Sequence, residues 1–203
     1  MWPFSNHEAA VLAALDRSLA VIEFDPAGKI ITANANFLKV MGYELADIVG
    51  KHHSLFVDPT EVKSPAYAAF WRDLLAGRFL SAEFRRIAKG GRSVWIQGTY
   101  NPLIDKSGKV YRVVKFATDV TDRKLEDVKV QGQIAAINRA QAVISFDPDG
   151  TIIEANENFE KALGYKLSEI VGKHHSMFVT AEERNSSAYK TFWNDLRAGH
   201  CPC

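Results

Sequence analysis

Two histidine pairs, His52-His53 and His174-His175, carry the side chains best suited to chemistry in this chain. A neutral imidazole can hydrogen-bond a ring cofactor or ligate haem iron. Neighbouring side chains diverge, so one member of each pair can face an interior while the other caps or bridges its loop. Trp71 and Trp193 come next, since an indole packs on a flat ring system and donates one hydrogen bond. Trp71 also belongs to the stripe Tyr67, Phe70, Trp71, Leu74, which reads equally as the core face of an amphipathic helix. Arg86 is the one charge on the Leu80-Ala82-Phe84-Arg86 face of an alternating segment. If buried it needs an anion, from a ligand or from an acid of the chain. Gly98, inside a β-rich run, marks either the close approach of a ligand or a bulge. Asn34 and Asn156 stand where strand passes to helix and read as bonding backbone there. No phosphate-binding glycine loop, HExxH, CxxC or GxSxG occurs, and the carboxylates are spread rather than paired, so an enzyme is not the expected reading.

A repeat positions these residues. Leu12–Arg78 aligns without a gap on Ile134–His200 at an offset of 122, with 39 of 67 pairs identical. His53 thus answers His175, and Trp71 answers Trp193. A period of this size is a domain, far above the ~20–50 residues of a solenoid repeat. Nothing answers Phe79–Lys124 except the last three residues, so the second copy is expected to hold only the N-terminal half of the first.

Within a copy, Ser5 and Glu8 have capping-box spacing, and a helix is expected at about 6–18. Val21–Phe24 and Lys29–Thr32 flank Asp25-Pro26-Ala27-Gly28, a hairpin. Short helical pieces follow around Phe37–Met41 and Leu45–Val49, then a helix at Pro65–Ala76 closed by Gly77. Phe79–Ala88, Ser93–Ile104 and Val110–Thr118 read as three strands joined by two turns. The order β-β-α-α-α-β-β-β gives an α+β fold, a five-stranded antiparallel sheet with helices on one face. The expected division is an N-terminal helix (1–19), a complete domain (20–122), a linker helix (123–141) and a truncated repeat (142–203). The linker carries a loose apolar stripe of Leu125, Val128, Ile134 and Ile137, suited to pairing with a second helix or simply solvated, and Gly132 weakens it.

With these residues, that order resembles the PAS domain. The resemblance rests on the Asp-Pro-x-Gly hairpin, Ala33-Asn34 with Phe37, Gly42-Tyr43, Ile48–Lys51, Gly90-Gly91, Trp95 with Pro102, and Asp119-Val120-Thr121. It covers 20–124 in full and 142–199 as a half. GKHHSLFV, Phe70-Trp71 and WIQGTYNPLID further resemble the PAS pairs of soluble bacterial chemoreceptors of the aerotaxis type.

The resemblance implies a pocket between sheet and helices, with Ile96, Gly98 and Tyr100 of the fourth strand facing inward, and Val114 and Phe116 of the fifth. It selects His53 and His175 as the inward histidines. Flavin, as FAD, is the cofactor it favours, with haem or no cofactor as alternatives. The candidate cofactor-binding set is Trp71, His53, Asn34, Arg86, Gly98, Tyr100, Trp193 and His175. The partners implied are a homodimer through the N-terminal and linker helices, and a downstream methyl-accepting signalling domain reaching the chemotaxis kinase complex.

A net charge of +1 favours neither nucleic acid nor an anionic membrane as partner. No apolar run approaches the ~20 residues of a membrane span, the N-terminus lacks a signal-peptide pattern, and the two cysteines sit in the tail. The cytoplasm is the expected compartment. Ligand is expected in the first copy only. The second, lacking three strands over Val143, Ile144, Phe159, Phe192 and Trp193, is expected to be poorly ordered or complemented by another chain.

Overall fold

The computed structural model describes residues 4–200, with side chains from residue 7 onward. The chain divides into two units, Met1–Glu126 and Asp127–Cys203. The cysteines of the tail lie outside the described residues.

The first unit opens with α1 (Phe4–Ser18), which already includes Ser5, so Ser5 is not the N-cap that the capping-box spacing indicated. β1 (Ala20–Phe24) and β2 (Ile30–Ala33) form an antiparallel hairpin. Asp25 Oδ1 accepts from the amides of Ala27 and Lys29 at 2.9 and 2.8 Å, the Asx geometry that makes Asp the first turn residue. α2 (Ala35–Met41) is capped by Asn34, whose Oδ1 accepts from Phe37 N, and is closed by Gly42 in the left-handed region. α3 (Leu45–Ile48) and a 3-10 turn (His53–Phe56) follow. The next segment contains a further short helix, α4 (Pro59–Val62), absent from the expected order of elements. Asp58 caps it and Pro59 fills its first turn, where a missing N–H does no harm. α5 (Pro65–Leu75) is capped by Ser64.

Three long strands complete the unit: β3 (Leu80–Ile87), β4 (Ser93–Ile104) and β5 (Val110–Asp119). The sheet order is β2-β1-β5-β4-β3, antiparallel throughout. Ile22, Phe24, Met41, Ile48, Leu74 and Val94 lie in the core under the helices.

The alternation of β1 determines which face of β5 is inner. Ala20, Ile22 and Phe24 are buried and pair with Ala117, Lys115 and Val113. Cross-strand partners share a face. The inner residues of β5 are therefore Val113, Lys115 and Ala117, one residue out of step with the expected Val114 and Phe116. Apolar residues on both faces of Val113-Val114-Lys115-Phe116-Ala117 hide the phase of this strand from its own sequence.

α6 (Thr121–Ala140) has no buried residue, and Leu125, Val128, Ile134 and Ile137 of its stripe are all exposed. No described helix is long and apolar enough to cross a membrane.

The second unit repeats the hairpin and helices. It holds β6 (Ile144–Phe146), β7 (Ile152–Ala155), α7 (Glu157–Leu163), α8 (Leu167–Ile170), a 3-10 turn (His175–Phe178), α9 (Ala181–Asn185) and α10 (Ser187–Arg197). Its described strands form one two-stranded sheet. These elements close on a small core of Ile152, Ala155 and Ile170. Trp193 is buried against Phe146, ring centroids 5.6 Å apart, while Phe192 beside it stays exposed.

Candidate functional site

The first unit buries a hydrogen-bonded chain of three side chains from three elements. His53, at the start of the 3-10 turn, is 1% exposed. Its Nδ1 lies 2.8 Å from Tyr67 Oη on α5, and its Nε2 lies 3.0 Å from Tyr100 Oη on β4. Burial first, then the nearby Lys115 and Arg86 cations, hold His53 well below the ordinary histidine range, so the ring is neutral. A neutral imidazole has one N–H and one bare nitrogen. One tyrosine therefore accepts from the ring and the other donates to it. Burial also raises both phenols, Tyr100 to about 12, which keeps them protonated.

Aromatic rings surround this chain. Trp71 stands edge-on to His53 at 5.5 Å and to Phe24 at 5.9 Å, and Phe70 stands edge-on to Tyr100 at 4.9 Å. Trp71 Nε1 is buried with no partner. His52 points the other way. Its Nδ1 accepts from Ser54 N at 3.1 Å, and its ring covers the hairpin turn. A Cβ on Gly28 would lie 2.6 Å from His52 Nε2, and Gly28 has φ +77°, so this turn admits only glycine twice over.

Two basic side chains share the interior. Arg86 on β3 is 3% exposed and stacks over Phe84 at 4.6 Å. Its Nη1 donates to Arg85 O at 2.9 Å and lies 3.4 Å from Glu61 Oε1 on α4. Its Nε is buried and unpartnered. Lys115 is 2% exposed, with Nζ 4.7 Å from the Tyr100 ring centroid and 5.7 Å from that of Phe84. Burial, and then the Arg86 charge, push Lys115 well below the usual lysine range. No ion pair to Lys115 forms among the described residues.

Gly98 is explained by this lysine. The ladder runs in register past it on both sides, so it is no bulge. A Cβ at Gly98 would lie 2.8 Å from Lys115 Cε. The space that the strand glycine opens is filled by the chain's own side chain. Lys115 escaped the sequence reading because β5 was taken in the wrong phase. The available signal was a glycine facing a neighbouring strand that carries one long side chain.

Asn34 lies outside this interior. Its Oδ1 accepts from Val21 N and Phe37 N at 2.9 Å, and its Nδ2 donates to Asp16 O and Leu19 O. Asn36 Nδ2 binds carbonyls of the same helix end. The pair fastens the end of α1 to the hairpin, so Asn34 leaves the candidate cofactor set. Asn156 and Asn158 do the same for the end of α6 in the second unit.

The second unit holds the shared half of the site. His175 Nδ1 lies 3.0 Å from Tyr189 Oη, and Trp193 Nε1 is again buried without a partner. The counterparts of Tyr100, Arg86 and Lys115 are missing from the sequence. His175 is only partly buried, and its pKa is lowered by burial and by His174.

The far end of the sheet is bonded to α6. Val120 N donates to Trp95 O at 2.8 Å, and Trp95 N donates to Thr121 Oγ1 at 2.9 Å. Glu83 on β3 pairs with Arg123 at 2.6 Å and with Lys124. β3 and β4, which carry Arg86 and Tyr100, thus also hold the first turn of α6.

Comparison with known proteins agrees with this architecture. A model of the PAS fold matches residues 30–117, and one of the PAS domain matches 141–202. The biofilm dispersion protein BdlA of Pseudomonas aeruginosa is 38% identical over 188 residues, covering 93% of this chain and 45% of that protein. The aerotaxis receptor of Escherichia coli K12 is 28% identical over 127 residues, covering 63% of this chain and 24% of that receptor. The chain thus spans less than half the length of these relatives. An RNA-binding light-oxygen-voltage receptor superposes with a TM-score of 0.52 at 22% identity, covering 68% of this chain and 41% of its own. A PAS domain from Colwellia psychrerythraea gives 0.51 at 19% identity, covering 58% of this chain and 99% of its own. At such identities the structural likeness is one of fold.

Proposed function

We propose, for a chain that belongs to the PAS family in both of its units, a sensory role in signal transduction of the chemotaxis type. The first unit responds through the Tyr67–His53–Tyr100 interior and passes the response along β3 and β4 to the start of α6. One observation carries this reading. A buried, fully hydrogen-bonded polar chain lies beside two buried basic side chains, on strands bonded directly to the helix that leaves the unit. Two arrangements of such an interior need differ by only a few kcal/mol to act as a switch.

Flavin, as FAD, is the cofactor this reading favours. The residues fit its chemistry: flat aromatic walls, an unpartnered indole donor at Trp71, and the buried Arg86 guanidinium, suited to an electron-rich ring edge or a phosphate. Trp71, His53 and Tyr100 pack on one another, so entry of a flavin requires α5 to draw back from the sheet. When bound, a flavin supplies a charge that changes with redox state. Haem fits less well, because both nitrogens of His53 are engaged by tyrosines and His52 is turned to the hairpin. The visible spectrum of protein purified without added cofactor tests this. Flavin absorbance and fluorescence are expected; a Soret band moves the assignment to haem, and neither signal removes the redox version.

A second reading rests on the exposed apolar stripe of α6. It makes α1 and α6 the seams of a homodimer, working with a downstream methyl-accepting domain in the cytoplasm. Light scattering with and without residues 1–18 tests it; a monomer in both cases removes it.

A further inference from the structure

We infer that the cleft between α4, α5 and β3 of the first unit binds a small aromatic carboxylate, with Arg86 as its anchor. The inference rests on the reading that this interior is the sensing element, and it names a ligand class for it. The cleft encloses about 370 Å³ and is lined by Tyr67, Phe70, Leu80, Phe84, Arg86 and Glu61, among others. That volume lies at the low end of small-molecule sites.

Three observations select the ligand. First, the Arg86 guanidinium lines the cleft while 3% exposed, and its Nε is buried without a partner. A planar carboxylate is the group that a guanidinium binds with two parallel bonds. Second, the chain supplies a stand-in. Glu61 reaches Arg86 from the end of α4 at 3.4 Å, with its side chain 44% exposed. A long contact to a half-exposed acid is a weak one, open to displacement by an incoming carboxylate. Asp73, the other acid of the cleft, is already bound to Arg78 at 2.5 Å. Third, the walls are rings. Phe70 and Phe84 stand edge-on at 6.5 Å, and Tyr67 stacks on Phe70 at 6.1 Å. Occupation of the cleft bears on Tyr67, and through it on His53.

The second unit provides an internal control. Its equivalent cleft, of about 340 Å³, is lined by His175, Glu183, Ser186, Ala188, Tyr189 and Phe192. Glu183 and Tyr189 are the repeat counterparts of Glu61 and Tyr67. Among the described residues, this second cleft has the walls with no arginine in its lining.

Calorimetric titration of the full chain with benzoate, and with benzamide as its neutral isostere, tests the assignment. The expected result is binding of benzoate, no binding of benzamide, and loss of benzoate binding in Arg86→Gln. Glu61→Gln, on the exposed side of the cleft, removes the competitor and should tighten benzoate about two- to fivefold. Equal binding of benzamide, no benzoate binding, or unchanged or weakened benzoate affinity in Glu61→Gln would each overturn it. Flavin bands in a protein that ignores benzoate would overturn the carboxylate site and leave the sensory role standing.

Discussion

Lys115→Met tests the buried lysine directly. Methionine keeps an unbranched chain of similar length over Gly98 and removes the titratable amine. Lys115 is 2% exposed, lacks an ion pair among the described residues, and is held well below the usual lysine pKa by burial and by Arg86. In the unfolded chain the same lysine titrates near ~10.4. Between the two values the unfolded state binds a proton that the folded state does not. Lowering the pH through that window therefore costs stability, by about 1.4 kcal/mol per pH unit, and the loss levels off below the folded pKa. Lys115→Met has no such dependence. Its stability advantage over wild type should be smallest near pH ~10 and grow by up to about 1.4 kcal/mol per unit toward pH ~8. Urea denaturation at a series of pH values measures the difference. Tyr67, Tyr100 and Lys89, which also titrate at high pH, are common to both proteins and cancel. Parallel stability curves for the two proteins would refute a buried lysine neutral in the fold.

Gly98→Ala should destabilise by about 1–3 kcal/mol through overpacking, because its Cβ would meet Lys115 Cε at 2.8 Å; in a Lys115→Ala background the denaturation midpoint should barely move. His53 is neutral when folded, so stability should fall by up to about 1.4 kcal/mol per unit as pH drops from ~6.5 toward ~5, and His53→Gln should lack that slope in acid titration. Gly28→Ala should cost more than Gly50→Ala in thermal melts. Both glycines have φ +77°, worth about 1–2 kcal/mol each, but only at Gly28 does the new methyl meet His52 and Trp71.

Local chemistry made most of the fold legible. Asp25-Pro26-Ala27-Gly28 announces its hairpin, Ser64 with Pro65 the start of α5, and Gly90-Gly91 the turn between β3 and β4, because each depends on a few adjacent residues. β4 lies where its aromatic and β-branched run places it, at Ser93–Ile104. The phase of β5 was not legible, since apolar residues on both faces leave alternation without a signal, and pairing with β1 decides it. Of the candidate site residues, His53, Trp71, Arg86, Gly98 and Tyr100 come together in one interior. Asn34 does not, because a side chain at a strand-to-helix junction is taken up by four backbone groups. His175 and Trp193 keep their local contacts without the strands that complete the first site.

The proposed sensory role requires the His53 interior to be coupled to the start of α6. Amide hydrogen exchange in Tyr100→Phe measures this most directly. The substitution removes one buried hydroxyl and leaves His53 Nε2 without its partner, a loss of about 1–3 kcal/mol. Faster exchange at Trp95 and Val120, with Gly28 and Lys29 of the hairpin turn unchanged, is the predicted result. Unchanged exchange at Trp95 and Val120, or uniform acceleration across the unit, would contradict it.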